Sequence, residues 1–347
     1  MEDVAEPLEK LDQDQSQQGQ DKEEQRSLSR SQDTKQKVIR QGISGLFHKL
    51  NIFSTRKPCS QYIRNGGRVL ENFSGDLKIF TANEMKEITK DYSEDCPSVT
   101  VHEAAHDIFT EGVDINIRMA HKNILCLVGC CLEVDGPMLV YYFVDNSSLK
   151  DILHVSKQEL PLDLRLDIAI GSAEGLRQIH LYTPRTLCHG DIKTDNILLT
   201  EMLTPKLSCF GLLKEQHFST TVVGSIGYTD PISLITGFLT QKSDLYSFGV
   251  VLLEIITRKR SIYGENCSLV LEFSKVYETE RRGKSMFDKE IATEENMIWL
   301  EQIGKLATEC LKEDVGHRPD MTDIAERLMI IRRDRETKGE GEANWPS

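Results

Sequence analysis

Asp191, Lys193 and Asn196 stand within six residues of one another, and the apolar run Ile197-Leu198-Leu199 follows at once. A carboxylate, an ammonium and a carboxamide so close together offer a proton acceptor, a fixed positive charge and an amide ligand. Thiol and metal chemistry are less well supported. The nine cysteines are an odd number and show no C-x-x-C spacing, which fits reduced thiols in a cytosolic compartment better than a disulfide scaffold. Cys130 and Cys131 are adjacent, but neighbours in a strand point to opposite faces, so they read as two core thiols rather than a metal pair.

The stretch Cys188-His189-Gly190-Asp191-Ile192-Lys193-Thr194-Asp195-Asn196-Ile197-Leu198-Leu199 resembles the protein-kinase catalytic loop, H-R-D-x-K-x-x-N. The resemblance implies that Asp191 is the base for a substrate hydroxyl, Lys193 a phosphate-contacting cation and Asn196 a Mg²⁺ ligand. Gly224 to Pro231 resembles the close of a kinase activation loop. Ser243 to Val250 resembles the start of the central kinase helix, with Asp244 as the anchor of the catalytic-loop backbone. His317-Arg318-Pro319 matches the family's late arginine. These motifs occur in family order and extend the resemblance over residues 79–335. Asn65-Gly66-Gly67, Lys78-Ile79-Phe80-Thr81, Leu127 to Glu133 and His189 to Lys193 are similar to plant wall-associated receptor kinases. Without their ectodomain and membrane helix, the chain resembles receptor-like cytoplasmic kinases derived from that group, some of which are pseudokinases working beside NLR immune receptors.

Several positions depart from the family pattern. Cys209-Phe210-Gly211 stands where the family has D-F-G; that aspartate holds Mg²⁺, and a soft thiol suits Mg²⁺ poorly. Val99-Thr100-Val101-His102 stands where the family has V-A-[IV]-K. Histidine is shorter than lysine and, with a reference pKa of about 6.5, mostly neutral at pH 7. The glutamate that pairs with that lysine is expected near position 112, where Gly112 stands; neighbouring Glu111 lies about 100° around a helix from it. No G-x-G-x-x-G precedes Val99, and the six residues Ser93 to Ser98 are too few for a hairpin of two strands. Gly190 replaces an arginine that docks activation-loop phosphate. Asp230-Pro231-Ile232 replaces [AD]-P-E, so Arg318 loses its usual glutamate and must find Asp320, another acid or water. Tyr141 and Tyr142 occupy the gatekeeper and hinge positions, where two aromatics read as filling a collapsed cleft. Ser219, Thr220 and Thr221 read either as phosphate acceptors or as plain loop hydroxyls.

The elements that must position these residues fall into unequal parts. The chain has 347 residues, a net charge of −13 and 39% hydrophobic residues. The acidic balance argues against a general nucleic-acid binder. The longest apolar run, Ile124 to Leu132, is far short of the ~20 residues of a membrane span. The start, Met1-Glu2-Asp3-Val4, has no signal-peptide pattern and no glycine for myristoylation. Residues 1–33 carry ten acids and four bases with no aromatic residue and are expected to be disordered. Residues 34–74 form a basic segment; 34–70 hold eight Lys or Arg and no acid. Within it, apolar residues at helical spacing predict an amphipathic helix over residues 37–53, either packed on the main domain or lying on an anionic membrane.

Residues 75–145 read as the small lobe. It has a helix over 81–88 capped by Thr81 and strands over 98–102 and 138–143. Residues 146–337 read as the large lobe, with helices over 164–181, 245–257, 297–311 and 321–332. Leu245 to Thr257 is apolar nearly all round and therefore buried. The tail, 338–347, is expected to be loose. Strands first and helices afterwards predict an α+β protein: a two-lobed kinase-like fold with a truncated N-terminal lobe and an intact helical C-terminal lobe.

The reading that best fits the losses is a catalytically silent pseudokinase. It would act as an adaptor or decoy in plant receptor-kinase or immune signalling. By resemblance its partners are receptor-like kinases or an NLR receptor, with no nucleic acid. On this reading Asp191, Lys193 and Asn196 are retained for architecture. His102 and Cys209 are degenerate phosphate and metal positions, and no metal or cofactor is expected. The location is cytoplasmic, with peripheral plasma-membrane contact through residues 37–53 if that helix lies on lipid. The alternatives are a weakly active serine/threonine kinase using Mg-ATP and the nonfunctional product of a damaged gene.

Overall fold

The computed structural model describes residues 78–343 apart from 90–98, 104–118, 120, 134–137, 143, 145–146, 157, 183–185, 209–213, 216, 219–224, 265–266 and 281. The expectations for residues 1–33 and 34–74, and those for Glu111, Gly112, Cys209 and Ser219 to Thr221, lie outside these residues.

The small lobe opens with β1 (Lys78–Phe80), whose chain turns at once into α1 (Ala82–Ile88). Thr81 starts the helix because its hydroxyl accepts from the Glu84 amide while the Glu84 carboxylate accepts from the Thr81 amide, a reciprocal cap that satisfies two otherwise orphan donors. Strands β2 (Val99–Glu103), β3 (Leu127–Cys131) and β4 (Met138–Tyr142) follow. They join β1 in one sheet of order β1-β3-β4-β2. β1 runs parallel to β3, and the approach is close: a Cβ on Gly129 would sit 2.1 Å from the Lys78 carbonyl oxygen. Only glycine admits that contact. Cys130 and Cys131 are both fully buried, and they enter two different apolar clusters on the two faces of the sheet. They are core thiols, as the strand period requires.

The large lobe holds α2 (Leu149–His154), α3 (Leu162–His180), β5 (Leu187–Cys188), β6 (Ile197–Leu199) and β7 (Pro205–Leu207), then α4 (Pro231–Thr236), α5 (Gln241–Thr257), α6 (Leu269–Glu280), α7 (Met297–Cys310) and α8 (Met321–Ala343). A single apolar core runs from Met119 to Ile331. Every residue of α5 from Ser243 to Thr257 except Ser247 is buried, as its all-round apolar sequence predicts. Inside this core Arg165 of α3 is fully buried. Its guanidinium donates to the carbonyls of Leu160 and Ile255 and to Asp288. Periodicity places residue 165 on α3 but says nothing of this charge.

One boundary is corrected. α8 does not end near Arg332 but continues to Ala343, through the start of the tail expected to be loose. Arg332 and Arg335 explain the extension: both pair with Asp163 on α3, and Arg332 also reaches Asp167 and Glu336. Polar pairs, invisible to an apolar-periodicity argument, hold α8 to α3 as far as Arg335. Among the described residues no helix is long and apolar enough to cross a membrane.

Candidate active site

The loop between β5 and β6 carries Asp191, Lys193 and Asn196, and α5 holds it from below. The buried Asp244 carboxylate accepts from the backbone amides of His189 (2.7 Å) and Gly190 (2.8 Å) and lies 2.8 Å from His180 Nε2. Gln241 donates to the carbonyls of His180 and Leu187. Asp244 therefore anchors the loop backbone from the central helix, as expected. Gly190 takes φ +79°, a left-handed conformation that an L side chain adopts only with strain.

The three predicted side chains converge. Asn196 Nδ2 donates to the Asp191 carbonyl (2.7 Å) and to Asp191 Oδ2 (2.9 Å). Lys193 Nζ lies 3.0 Å from Asp191 Oδ2 and donates to Ser225 Oγ at 2.7 Å. Ser225 in turn donates to Asp191 Oδ1 at 2.7 Å. Burial alone would raise the pKa of Asp191, but the Ser225 hydrogen bond, the Lys193 charge and Asn196 outweigh it and hold the carboxyl below its ordinary value. Asp191 is thus an ionised carboxylate at neutral pH, with both oxygens engaged. A cavity of about 20 Å³ beside it, lined by Gly190, Ile192, Ser225, Tyr228 and Leu239 among others, holds little more than one water molecule.

A second polar chain runs beneath the first. Thr194 Oγ1 meets the Tyr228 hydroxyl at 2.9 Å, Tyr228 donates to Glu254 at 2.8 Å, and Glu254 also accepts from the Ser261 amide at 2.6 Å. Burial and the Glu254 charge push the Tyr228 hydroxyl well above its usual range. Ser225, Tyr228 and Glu254 were not singled out from the sequence. Glu254 left a signal there, an acid inside the apolar run Val250 to Ile256, since a buried charge requires partners.

The fate of Arg318 is resolved by a neighbour of the lost glutamate. Asp230, not Asp320, receives it: Nη1 and Nη2 of Arg318 donate to Asp230 Oδ2 and Oδ1 at 2.7 and 2.9 Å, with both side chains buried. Asp230 also caps α4 through the Ile232 amide. The pair is intact, moved two residues along the chain.

Of the remaining predicted residues, Cys209 lies outside the described ones. β2 places His102 in register with Leu139 of β4, on a strand at the edge of the small sheet. β7 and Ser208 lead up to Cys209; Ser208 donates twice to the Asn196 carbonyl. Tyr141 is fully buried in the cluster of Leu125, Leu127, Cys130, Leu139 and Val144, so it fills the sheet face.

Comparison with known proteins agrees with this geometry. Residues 95–328 match a family model described as protein tyrosine and serine/threonine kinase. The chain is 34% identical over 308 residues to Wall-associated receptor kinase 3 of Arabidopsis thaliana, covering 77% of this chain and 41% of that protein. It is 32% identical over 307 residues to Putative wall-associated receptor kinase-like 16 of the same plant, covering 77% and 71%. It is 35% identical over 235 residues to Receptor-like serine/threonine-protein kinase ALE2, also of Arabidopsis thaliana, covering 65% and 31%. The chain therefore spans under half of two of these relatives and nearly three quarters of the third.

Proposed function

This chain belongs to the protein tyrosine and serine/threonine kinase family and is related to the wall-associated receptor kinases, and we propose that it is a pseudokinase that serves as a protein–protein adaptor or decoy in plant receptor-kinase signalling. The observation that carries this reading is a length. α1 is closed by Thr89 and β2 opens at Val99, which leaves nine residues for a phosphate-covering hairpin whose two strands alone need about ten.

The donor set does not fit Mg-ATP. The metal position holds a thiol, Cys209, and the phosphate position holds His102. Removing one preorganised electrostatic element costs about 10²–10³ in rate, and on this reading three are missing: the metal aspartate, the phosphate lysine and the Gly-rich hairpin. What survives is the large lobe with its anchored loop, a rigid surface for binding other proteins. Partners on this reading are active receptor-like kinases or an NLR immune receptor. The basic residues 37–53 supply peripheral contact with an anionic plasma membrane. A deletion series tested for capture of such receptors checks the adaptor role: the large lobe alone should retain binding, and loss of binding with the lobe intact contradicts it.

A second reading, a weakly active serine/threonine kinase, is favoured by one observation: Asp191, Lys193, Asn196 and Ser225 remain assembled with the base ionised. Phosphate transfer abolished by Asp191→Asn would establish it; no transfer above background supports the pseudokinase.

A further inference from the structure

A basic turn in the large lobe, away from the catalytic loop, carries an exposed hydroxyl. Arg282-Gly283-Lys284-Ser285 stands just past the end of α6 at Glu280, and Lys284–Met286 form a 3-10 turn. The turn is fixed to the core on both sides. Gly283 takes φ +71°, and a Cβ there would sit 2.9 Å from the Phe273 ring, while Met286 and Phe287 are buried. Arg282, Lys284 and Ser285 are therefore held on the outside, where all three are exposed.

Two bases here stand against two acids. Ser285 Oγ donates to Glu280 Oε1 at 2.8 Å and the Ser285 amide to Glu280 Oε2 at 3.2 Å. Arg282 and Lys284 both pair with Glu301 of α7, at 2.5 and 3.1 Å. An arginine three residues before a hydroxyl suits a kinase that binds its substrate extended. The three steps span about 10 Å, and a guanidinium can pair in bidentate fashion with a carboxylate in the kinase's groove. Among the described serines and threonines two have that spacing, Ser285 after Arg282 and Ser261 after Arg258. Ser261 is buried, so of the two only Ser285 is accessible.

We propose that Ser285 is a phosphorylation site for a separate, arginine-directed serine/threonine kinase, and that its phosphate displaces Glu280 and draws in Arg282 and Lys284. The step is a phosphoryl transfer from Mg-ATP held by that kinase. The bond from Ser285 Oγ to the γ-phosphorus forms, the bond from that phosphorus to the bridging oxygen breaks, ADP leaves, and the hydroxyl proton passes to the kinase's base. The product carries a charge of about −1.5 to −2 at pH 7 and three acceptor oxygens. It has no hydroxyl proton left for Glu280, and its charge repels that carboxylate. Arg282 and Lys284 lie within three residues of it and are 62% and 53% exposed. Exposed ion pairs hold long side chains weakly, so both can turn from Glu301 to the phosphate. Glu280 is the last residue of α6, so the modification loosens the end of that helix and leaves the core as it is.

Phosphorylation of the full chain tests this, with a cyclic-nucleotide-dependent kinase catalytic subunit as the arginine-directed probe and an acid-directed kinase as the contrast. Peptide mass mapping should place phosphate on Ser285 with the first enzyme and not with the second. Arg282→Gln should slow incorporation there at least tenfold. Glu301→Gln breaks the same ion pair but leaves the arginine, and should keep the rate or raise it; the two variants together separate recognition of Arg282 from loss of local structure. Hydrogen–deuterium exchange in the modified chain should be at least tenfold faster over residues 282–286 and the last turn of α6, with α3 and α5 unchanged. The proposal is overturned by no phosphate on Ser285, by equal transfer from the acid-directed enzyme, by a rate indifferent to Arg282→Gln or equally slowed by Glu301→Gln, or by exchange that the modification leaves unchanged.

Discussion

Asp230 shows how a lost residue is compensated by chemistry already present. The family pattern makes Ile232 look like a broken ion pair, yet Arg318 is bidentate with Asp230 in a buried site. Asp230→Ala should therefore destabilise the protein by about 3–5 kcal/mol, the usual consequence of stranding a buried charge. Ile232→Glu should add little, because Arg318 is already satisfied; chemical denaturation of the two variants checks both expectations. Asp191 gives a pH signature. Its pKa is held below the ordinary value, so its contribution to stability is present above the unfolded pKa of about 3.9 and is lost as pH falls through the lower folded value. The stability gap between the unmodified protein and Asp191→Asn should be constant from pH 7 to 5 and shrink below about pH 4; a gap that grows in acid contradicts the assigned shift. The identities of the loop residues were legible in the sequence because their order within six residues is so specific. The partners Ser225, Tyr228 and Glu254 were not, since each is an ordinary residue until the fold brings it to Thr194 or Asp191.

At the scale of elements, helices were easier to read than their ends. Apolar spacing locates α3, α5 and α7 to within a few residues, because burial of one face or all faces dictates the pattern. The end of α8 escaped it, since Arg332 and Arg335 hold that helix through Asp163 and Asp167, and exposed ion pairs leave no periodic trace. α1 is short enough to depend on its cap. Thr81→Ala removes the hydroxyl that accepts from the Glu84 amide and should cost about 1 kcal/mol, read as faster amide exchange confined to α1 and β1. Gly190 is likewise set by its element: the loop requires φ +79° there. Gly190→Ala should cost about 1–2 kcal/mol, measured by thermal unfolding, and restoring the family's arginine would meet the same strain.

The molecule as a whole keeps one lobe of its family and reduces the other. Among the described residues a continuous core from Met119 to Ile331 holds the large lobe together, and the small sheet carries a cluster on each of its two faces. In the sequence this organisation shows through the family order of the motifs. Fold class and lobe organisation were legible from that order. Thermal stability in the presence and absence of millimolar Mg-ATP tests the central claim most directly, because a ligand that binds the folded state stabilises it by RT ln(1 + [L]/Kd). The pseudokinase account predicts no shift of the melting temperature, which corresponds to a Kd well above millimolar; a rise of several degrees with Mg-ATP contradicts it.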